Sequence, residues 1–72
     1  MIRLRVRELL QQRELSKYWL YTRMGISYDN LSRMMNNETR SIRFDNIERL
    51  CKLLNCTPND LFEIDDEPLE ED

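Results

Sequence analysis

The fold is decided by residues 15–37, which read LSKYWLYTRMGISYDNLSRMMNN. Gly25 is the only glycine in the 72-residue chain, and it separates two segments in which apolar residues recur at helical spacing. A helix that ends in a tight turn needs a residue with positive φ, and glycine adopts that conformation without strain. The stretch is therefore predicted to form two short helices joined by a turn at Gly25.

Both predicted helices carry the same start signal. Ser16 precedes the first helix and Ser27 the second, and a serine hydroxyl at an N-cap accepts a hydrogen bond from a free backbone N–H of the first turn. Apolar residues flank each serine at the spacing of a hydrophobic staple. The apolar positions expected where the two helices cross are Leu20, Met24, Ile26, Leu31 and Met34.

This ordered set of caps, turn and apolar positions resembles the helix-turn-helix of Cro/CI-type (lambda-repressor-like) regulators, especially their small stand-alone members. The resemblance implies an all-α, compact five-helix domain over residues 1–62, with the helix-turn-helix at about 16–36. One position departs from the family pattern, because Tyr21 stands where alanine is usual. Either the helix crossing opens slightly, or the ring turns aside over a neighbouring helix.

Three further helices are predicted around this pair. Helix 1 should cover about 4–13, helix 4 about 44–54 and helix 5 about 58–62, while helices 2 and 3 of the motif should cover 17–24 and 28–36. Helix 5 has the clearest start, with Thr57 as N-cap, Pro58 at the first position and Asp60 reaching back. The apolar stripe expected on helix 4 comprises Phe44, Ile47, Leu50, Cys51 and Leu54. Leu61, Phe62 and Ile64 are expected to close the core or to cover a dimer seam.

Charge is divided along the chain. The net charge is −3, yet residues 1–62 hold eleven basic against seven acidic residues, a net charge of +4. Residues 63–72, EIDDEPLEED, hold seven acids and no base, and such a composition predicts a solvated, disordered tail. The alternative is a regulatory tail that competes with DNA phosphate for the arginines. The low overall pI therefore does not exclude nucleic-acid binding by the body.

The outer face of predicted helix 3 carries side chains suited to reading bases. Arg33 can donate two parallel hydrogen bonds to guanine O6 and N7, Asp29 can accept from cytosine N4, and Tyr28 can contact a thymine methyl. The predicted base-reading residues are Tyr28, Asp29, Ser32 and Arg33. The resemblance, together with the polar loop after helix 3, predicts phosphate contacts from Lys17, Ser27, Asn36, Asn37, Thr39, Arg40, Ser41 and Arg43. Lys17 matches a family position that contacts either phosphate or a base edge. The arginines of helix 1 form either a solvated face or further phosphate contacts.

Composition also narrows the class of protein. The chain has no histidine, two cysteines and one glycine, so a Ser-His or Cys-His pair, a four-ligand zinc site and a phosphate-binding glycine loop are not expected. We therefore expect no enzyme, no cofactor and no metal. No apolar run approaches the roughly 20 residues that span a bilayer, which predicts a cytoplasmic protein without a membrane partner.

The expected partner is double-stranded DNA, bound by a homodimer that forms in solution or only on DNA. The expected role is a transcriptional regulator, most simply a repressor. The alternative is a helix-turn-helix used for protein binding, such as an antitoxin-like or regulatory partner. In that case the acidic tail and the aromatic helix 2, with Trp19 facing outward, would make the contacts.

Overall fold

A computed structural model describes residues 1–65 and places five short helices between two strands that pair with each other. The elements in chain order are β1 (Ile2–Leu4), α1 (Val6–Gln12), α2 (Lys17–Met24), α3 (Tyr28–Met35), α4 (Phe44–Leu54), α5 (Pro58–Leu61) and β2 (Phe62–Ile64). The five predicted helices are therefore present in the predicted order. The ends of α2 and α4 match the prediction, whereas α1, α3 and α5 are shorter than predicted by one or two residues at one or both ends.

The prediction of an all-α fold was wrong, because β1 and β2 form a two-stranded antiparallel sheet, here called the terminal sheet. Ile2 lies opposite Ile64, and Leu4 lies opposite Phe62. The first residues alternate apolar and arginine side chains, a period-two pattern that suits a strand, and α1 begins only at Val6. The helix predicted from residue 4 is therefore shorter at its start.

The terminal sheet also changes the boundary of the predicted acidic tail. Glu63 and Ile64 belong to β2, and the backbone N–H of Asp65 donates to the Met1 carbonyl at 3.2 Å. The ordered part of the chain thus extends past the predicted boundary at residue 62. The remainder of the predicted tail, residues 66–72, lies outside the described residues.

The core lies between the helices and under one end of the terminal sheet. Its buried members are Leu4, Val6, Leu9, Leu10, Leu20, Met24, Leu31, Met34, Met35, Leu50, Leu54 and Leu61. Three predicted core positions on α4 differ from expectation: Phe44 is 89% exposed, and Ile47 and Cys51 are only half-buried. Phe44 is the first residue of α4, and its side chain is left largely uncovered.

The predicted turn and caps of the helix-turn-helix are confirmed. Gly25 has φ of 72°, in the left-handed region, and the hydroxyls of Ser16 and Ser27 each accept a backbone hydrogen bond, from Trp19 at 3.0 Å and from Asn30 at 3.1 Å. A Cβ atom at position 25 would lie 3.0 Å from Nη1 of Arg49, whose guanidinium donates to the last carbonyl of α2. The turn is thus fixed both by backbone conformation and by close packing.

Candidate nucleic-acid interface

Helix α3 presents one face to solvent and the other to the core. Leu31 and Met34 point inward and are buried, as predicted, which leaves the intervening residues outside. Asp29 and Arg33 are exposed one turn apart, and they form no ion pair with each other in the described part of the chain. Both therefore remain available to a ligand.

Lys17, the first residue of α2, lies against this face of α3. Its Nζ donates to Oγ of Ser32 at 2.6 Å and lies 4.2 Å from the centroid of the Tyr28 ring. Lys17 and Ser32 are half-buried, whereas Tyr28 is 50% exposed. The residues that contact one another here, or share the exposed face, are Lys17, Tyr28, Asp29, Ser32 and Arg33, and they are called the α2–α3 surface below.

Tyr21 is accommodated by turning its ring toward the start of α3. The rings of Tyr21 and Tyr28 meet nearly at right angles with centroids 5.2 Å apart, and the Tyr18 ring lies 6.3 Å from that of Tyr21. Edge-to-face aromatic contacts of this geometry are favourable. Of the two outcomes expected for this departure from the family pattern, the structure shows the ring turned aside over the neighbouring helix.

The end of α3 contacts the first helix and the first strand through two asparagines. Asn36 accepts from Nη2 of Arg7 at 2.7 Å. The side chain of Asn37 bonds to both backbone groups of Leu4: Oδ1 accepts from the N–H at 2.7 Å, and Nδ2 donates to the carbonyl at 3.2 Å. The Asn37 amide, predicted to contact phosphate, thus links the end of α3 to the terminal sheet.

The remaining predicted phosphate contacts lie at the two ends of α3. Ser27 precedes the helix and is exposed, although its hydroxyl already caps the helix. In the loop that follows α3, Arg40 and Ser41 are exposed and Thr39 is half-buried. Polar groups suited to phosphate are therefore found at both ends of α3.

Arg43, the last predicted phosphate contact, has an internal partner. Its Nε lies 3.0 Å from Oδ1 of Asp45, and this hydrogen bond holds the pKa of the Asp45 carboxyl below its ordinary value. Both side chains are exposed, so the ion pair is weak and open to competition by another anion. Arg43 is also the N-cap residue of α4, but its side chain makes no cap hydrogen bond.

Four cations around α3 have no carboxylate partner in the part of the chain that the structure describes. Arg33 and Arg40 are exposed, and neither they nor Lys17 and Arg7 have an acidic side chain within 4 Å in residues 1–65. Other cations in residues 1–65 also lack a carboxylate partner, but they donate to backbone carbonyls instead: Arg5, Arg13, Arg23 and Arg49. In contrast, the cations of Arg3, Arg43 and Lys52 each have one. Sequence reasoning did not single out Arg7, because only the packing of α1 against the end of α3 brings it to this surface.

The protein-binding alternative predicted that Trp19 faces outward, and this prediction was wrong. Trp19 is half-buried and packs against the core, and the guanidinium of Arg23 lies 4.5 Å from its ring centroid. Tyr18 is the aromatic residue of α2 that is most exposed, at 69%. The aromatic character of α2 is thus divided between the core and the edge of the α2–α3 surface.

Residues 1–65 contain neither a membrane-spanning helix nor a metal-binding cluster. No helix there is long and apolar enough to cross a membrane, the longest being α4 with 11 residues. No group of three His, Cys, Asp or Glu side chains in this range could hold a metal ion. The thiols of Cys51 and Cys56 are free and half-buried, and burial raises the pKa of Cys56.

Comparison with known proteins agrees with the geometry. The family model described as a Cro/C1-type HTH DNA-binding domain matches residues 5–67. An uncharacterised HTH-type transcriptional regulator, YozG, from Bacillus subtilis (strain 168) is 38% identical over 55 residues, which make up 76% of this chain and 66% of that protein. The chain therefore spans just under two thirds of the length of this relative.

A solved structure shows the same arrangement of elements. A crystal structure from Bacteroides fragilis, described as that of a candidate DNA-binding protein, superimposes with a TM-score of 0.77 at 27% identity and covers 88% of this chain and 100% of its own. The family match spans nearly the whole described region and includes the α2–α3 surface. The chain belongs to the Cro/C1-type helix-turn-helix DNA-binding domain family.

Proposed function

We propose that the protein is a transcriptional regulator, acting as a repressor, that binds double-stranded DNA in a sequence-specific way. The observation that carries this proposal is a group of four cations around an exposed α3 that have neither a carboxylate nor a backbone-carbonyl partner in residues 1–65, within a helix-turn-helix fold. When exposed cations of this kind bind DNA phosphates, they release the counterions condensed on the DNA, which favours binding. The named relatives, one a regulator and one a candidate DNA-binding protein, support the same function.

In the proposed complex α3 lies in the major groove, which is about 12 Å wide and admits a helix. Arg33 donates to guanine, and Asp29 accepts from a neighbouring base edge. The loop after α3 contacts the DNA backbone on one side through Arg40, Ser41 and Arg43. For this contact Arg43 exchanges its exposed partner Asp45 for a phosphate. Arg7, oriented by Asn36, extends the backbone contacts to α1.

We further propose that the protein acts in the cytoplasm and binds DNA as a two-fold homodimer. A net charge of +4 on residues 1–62 supplies few phosphate contacts, so one copy alone binds weakly and with strong salt dependence. Ile64 is 68% exposed and Ile2, its partner in the terminal sheet, is 58% exposed. Of the three residues predicted for a seam, Ile64 is the one exposed to a second copy, with Ile2 beside it, whereas Phe62 is half-buried and Leu61 is buried.

A mobility-shift titration with DNA from upstream of the protein's own gene tests the proposal. Arg33→Ala should reduce the discrimination between specific and unrelated DNA by about five- to 150-fold, the range expected for loss of one bidentate base contact. Lys52→Ala is the matched control, because it removes one charge from α4, away from the α2–α3 surface. Equal discrimination by the wild type and Arg33→Ala would contradict the proposed base reading.

The second candidate function is a protein-binding helix-turn-helix. The observation in its favour is the exposed side chain of Tyr18, whose ring lies beside that of Tyr21, which in turn contacts the Tyr28 ring. This function predicts that binding to DNA is weak for every sequence, insensitive to Arg33→Ala and abolished by moderate salt. The same titration therefore separates the two candidates.

A further inference from the structure

The contacts of Lys17 place two hydrogen-bond donors side by side on the α2–α3 surface. The ammonium group has three N–H bonds, and one of them is given to Oγ of Ser32. Because Oγ of Ser32 accepts this bond, its own O–H is turned elsewhere, and within residues 1–65 it donates to no protein acceptor. A serine inside a helix often donates to the carbonyl one turn earlier, so a free O–H here is notable.

The Tyr28 ring adds an apolar surface next to these donors. One side of the ring faces the Lys17 ammonium at 4.2 Å, and the Tyr21 ring meets it nearly at right angles. These two contacts fix the ring position, yet 50% of the residue remains exposed. The α2–α3 surface thus places a fixed aromatic ring, that of Tyr28, next to two hydrogen-bond donors, the Lys17 ammonium and the Ser32 hydroxyl.

Among the four DNA bases, thymine alone matches this combination in the major groove. Thymine presents an acceptor, O4, next to its C5-methyl group, whereas guanine presents two acceptors and no methyl, and cytosine presents a donor. We propose that Tyr28, Lys17 and Ser32 act together to read one thymine, the ring contacting the methyl group and the two donors facing O4. This inference rests on the proposed function, in which α3 enters the major groove.

The proposal also decides between the two roles open to Lys17. A phosphate contact needs charge and donors alone, and it carries no sequence information. The ammonium of Lys17 is held by a hydroxyl and an aromatic ring that both belong to α3. The proposal therefore assigns Lys17 to a base edge rather than to phosphate.

The first arm of the test isolates the methyl group. A preferred site is selected from random duplex DNA with the wild-type protein, and each thymine in it is replaced in turn by deoxyuridine, which lacks only the methyl. At one position the wild type should lose about fourfold in affinity, the effect of one buried methyl-sized group. Tyr28→Ala should show no methyl effect at that position, and Tyr28→Phe should retain it.

The second arm isolates the acceptor. At the same position, 5-methylcytosine keeps the methyl group but replaces O4 by an amino donor, with guanine as its partner. The wild type should bind this duplex about tenfold more weakly or worse, and Lys17→Met should reduce that penalty. Lys52→Met, which removes an equal charge from α4, should leave both base effects unchanged.

The outcomes separate this inference from the function on which it depends. If no sequence is selected, the proposed function fails, and the thymine inference fails with it. If a sequence is selected but no thymine in it shows a methyl effect that depends on Tyr28, the thymine inference alone is overturned. A Lys17→Met variant that weakens all duplexes equally also overturns it, because that result identifies a phosphate contact.

Discussion

The α2–α3 surface and the terminal sheet are assembled over different distances along the chain. Lys17 and Ser32, which bond on the α2–α3 surface, are 15 residues apart, whereas Arg3 and Glu63, which pair across the terminal sheet, are 60 apart. The first region is built from short helices whose caps and turn lie beside the residues they position. The second exists only when both ends of the described chain meet. Local signals therefore encode the candidate binding surface, while the sheet depends on the completed fold.

The largest expected difference between the two regions is in stability. Leu31→Ala should lower the free energy of unfolding by about 3 kcal/mol, because it leaves a cavity beneath the outer face of α3, where Leu31 is fully buried. Ile64→Ala, in the exposed part of the terminal sheet, should change it by less than about 0.5 kcal/mol. Urea unfolding followed by circular dichroism measures both values. Similar losses in the two variants would show that the sheet carries far more of the stability than its exposure indicates.

Asn37 joins the two regions, and its loss should have the next largest effect. Asn37→Gly keeps the positive φ of 58° available but removes both side-chain bonds to Leu4, leaving a partly buried backbone N–H without its partner. We expect a loss of about 2 kcal/mol, measured by the same unfolding experiment. Asn36→Gly, one residue earlier at the end of α3, is the neighbouring control. An unchanged urea midpoint for Asn37→Gly would contradict this expectation. It would mean that water replaces the hydrogen bonds of the Asn37 amide with no loss of stability.

The helix caps test the local encoding directly. Ser27→Ala removes the hydroxyl that accepts from Asn30, and it should cost about 1 kcal/mol. Ser41→Ala, in the exposed loop, removes the same group from a residue that caps no helix and should be nearly neutral. The difference between the two thermal midpoints is the quantity to measure. Equal midpoints would contradict the role given to the cap.

The smallest expected effect concerns the ion pair of the terminal sheet. The hydrogen bond from Arg3, at 2.6 Å, holds the pKa of Glu63 below its ordinary value of 4.5. A carboxyl with a lowered folded pKa stabilises the fold above its unfolded pKa, and this stabilisation is lost as the pH falls through the folded value. Glu63→Gln should therefore lower the thermal midpoint slightly at pH 7 and not at about pH 2.

Salt provides the control for that prediction. Both side chains of the pair are exposed, so added salt should shrink the difference between the wild type and Glu63→Gln at neutral pH. A difference that persists at low pH and high salt would point to packing rather than charge. The terminal sheet would then be held by its backbone bonds and apolar contacts.

Much of the fold could be predicted from sequence because its signals are short in range. Ser16, Ser27 and Gly25 each act on residues within one turn, and all three have the predicted roles. The terminal sheet was missed because three-residue strands carry too little pattern and their pairing joins distant parts of the chain. Phe44 fits the helical period of α4, yet its side chain is exposed. Periodicity shows which face of a helix is apolar, but not which turns of that face other elements cover.

For the candidate site, the sequence predicted which face of α3 is exposed, but not which side chains contact one another there. Helical periodicity placed Asp29 and Arg33 outside, and the structure agrees. It could not show that Lys17 bonds to Ser32, or that the Asn37 amide is used by Leu4. These contacts depend on side-chain positions that packing alone decides.

The central claim, that the α2–α3 surface binds DNA and the terminal sheet does not, is tested most directly by amide chemical-shift mapping. Heteronuclear NMR spectra of the full chain would be recorded during titration with the selected duplex. We predict that the largest shifts occur at Lys17, along α3 and in the loop from 36 to 43. Shifts in β1 and β2 should be smaller, and confined to the surroundings of Ile2 and Ile64 if two copies join there on DNA. Shifts confined to the terminal sheet, or none at all with a specific duplex, would contradict the account.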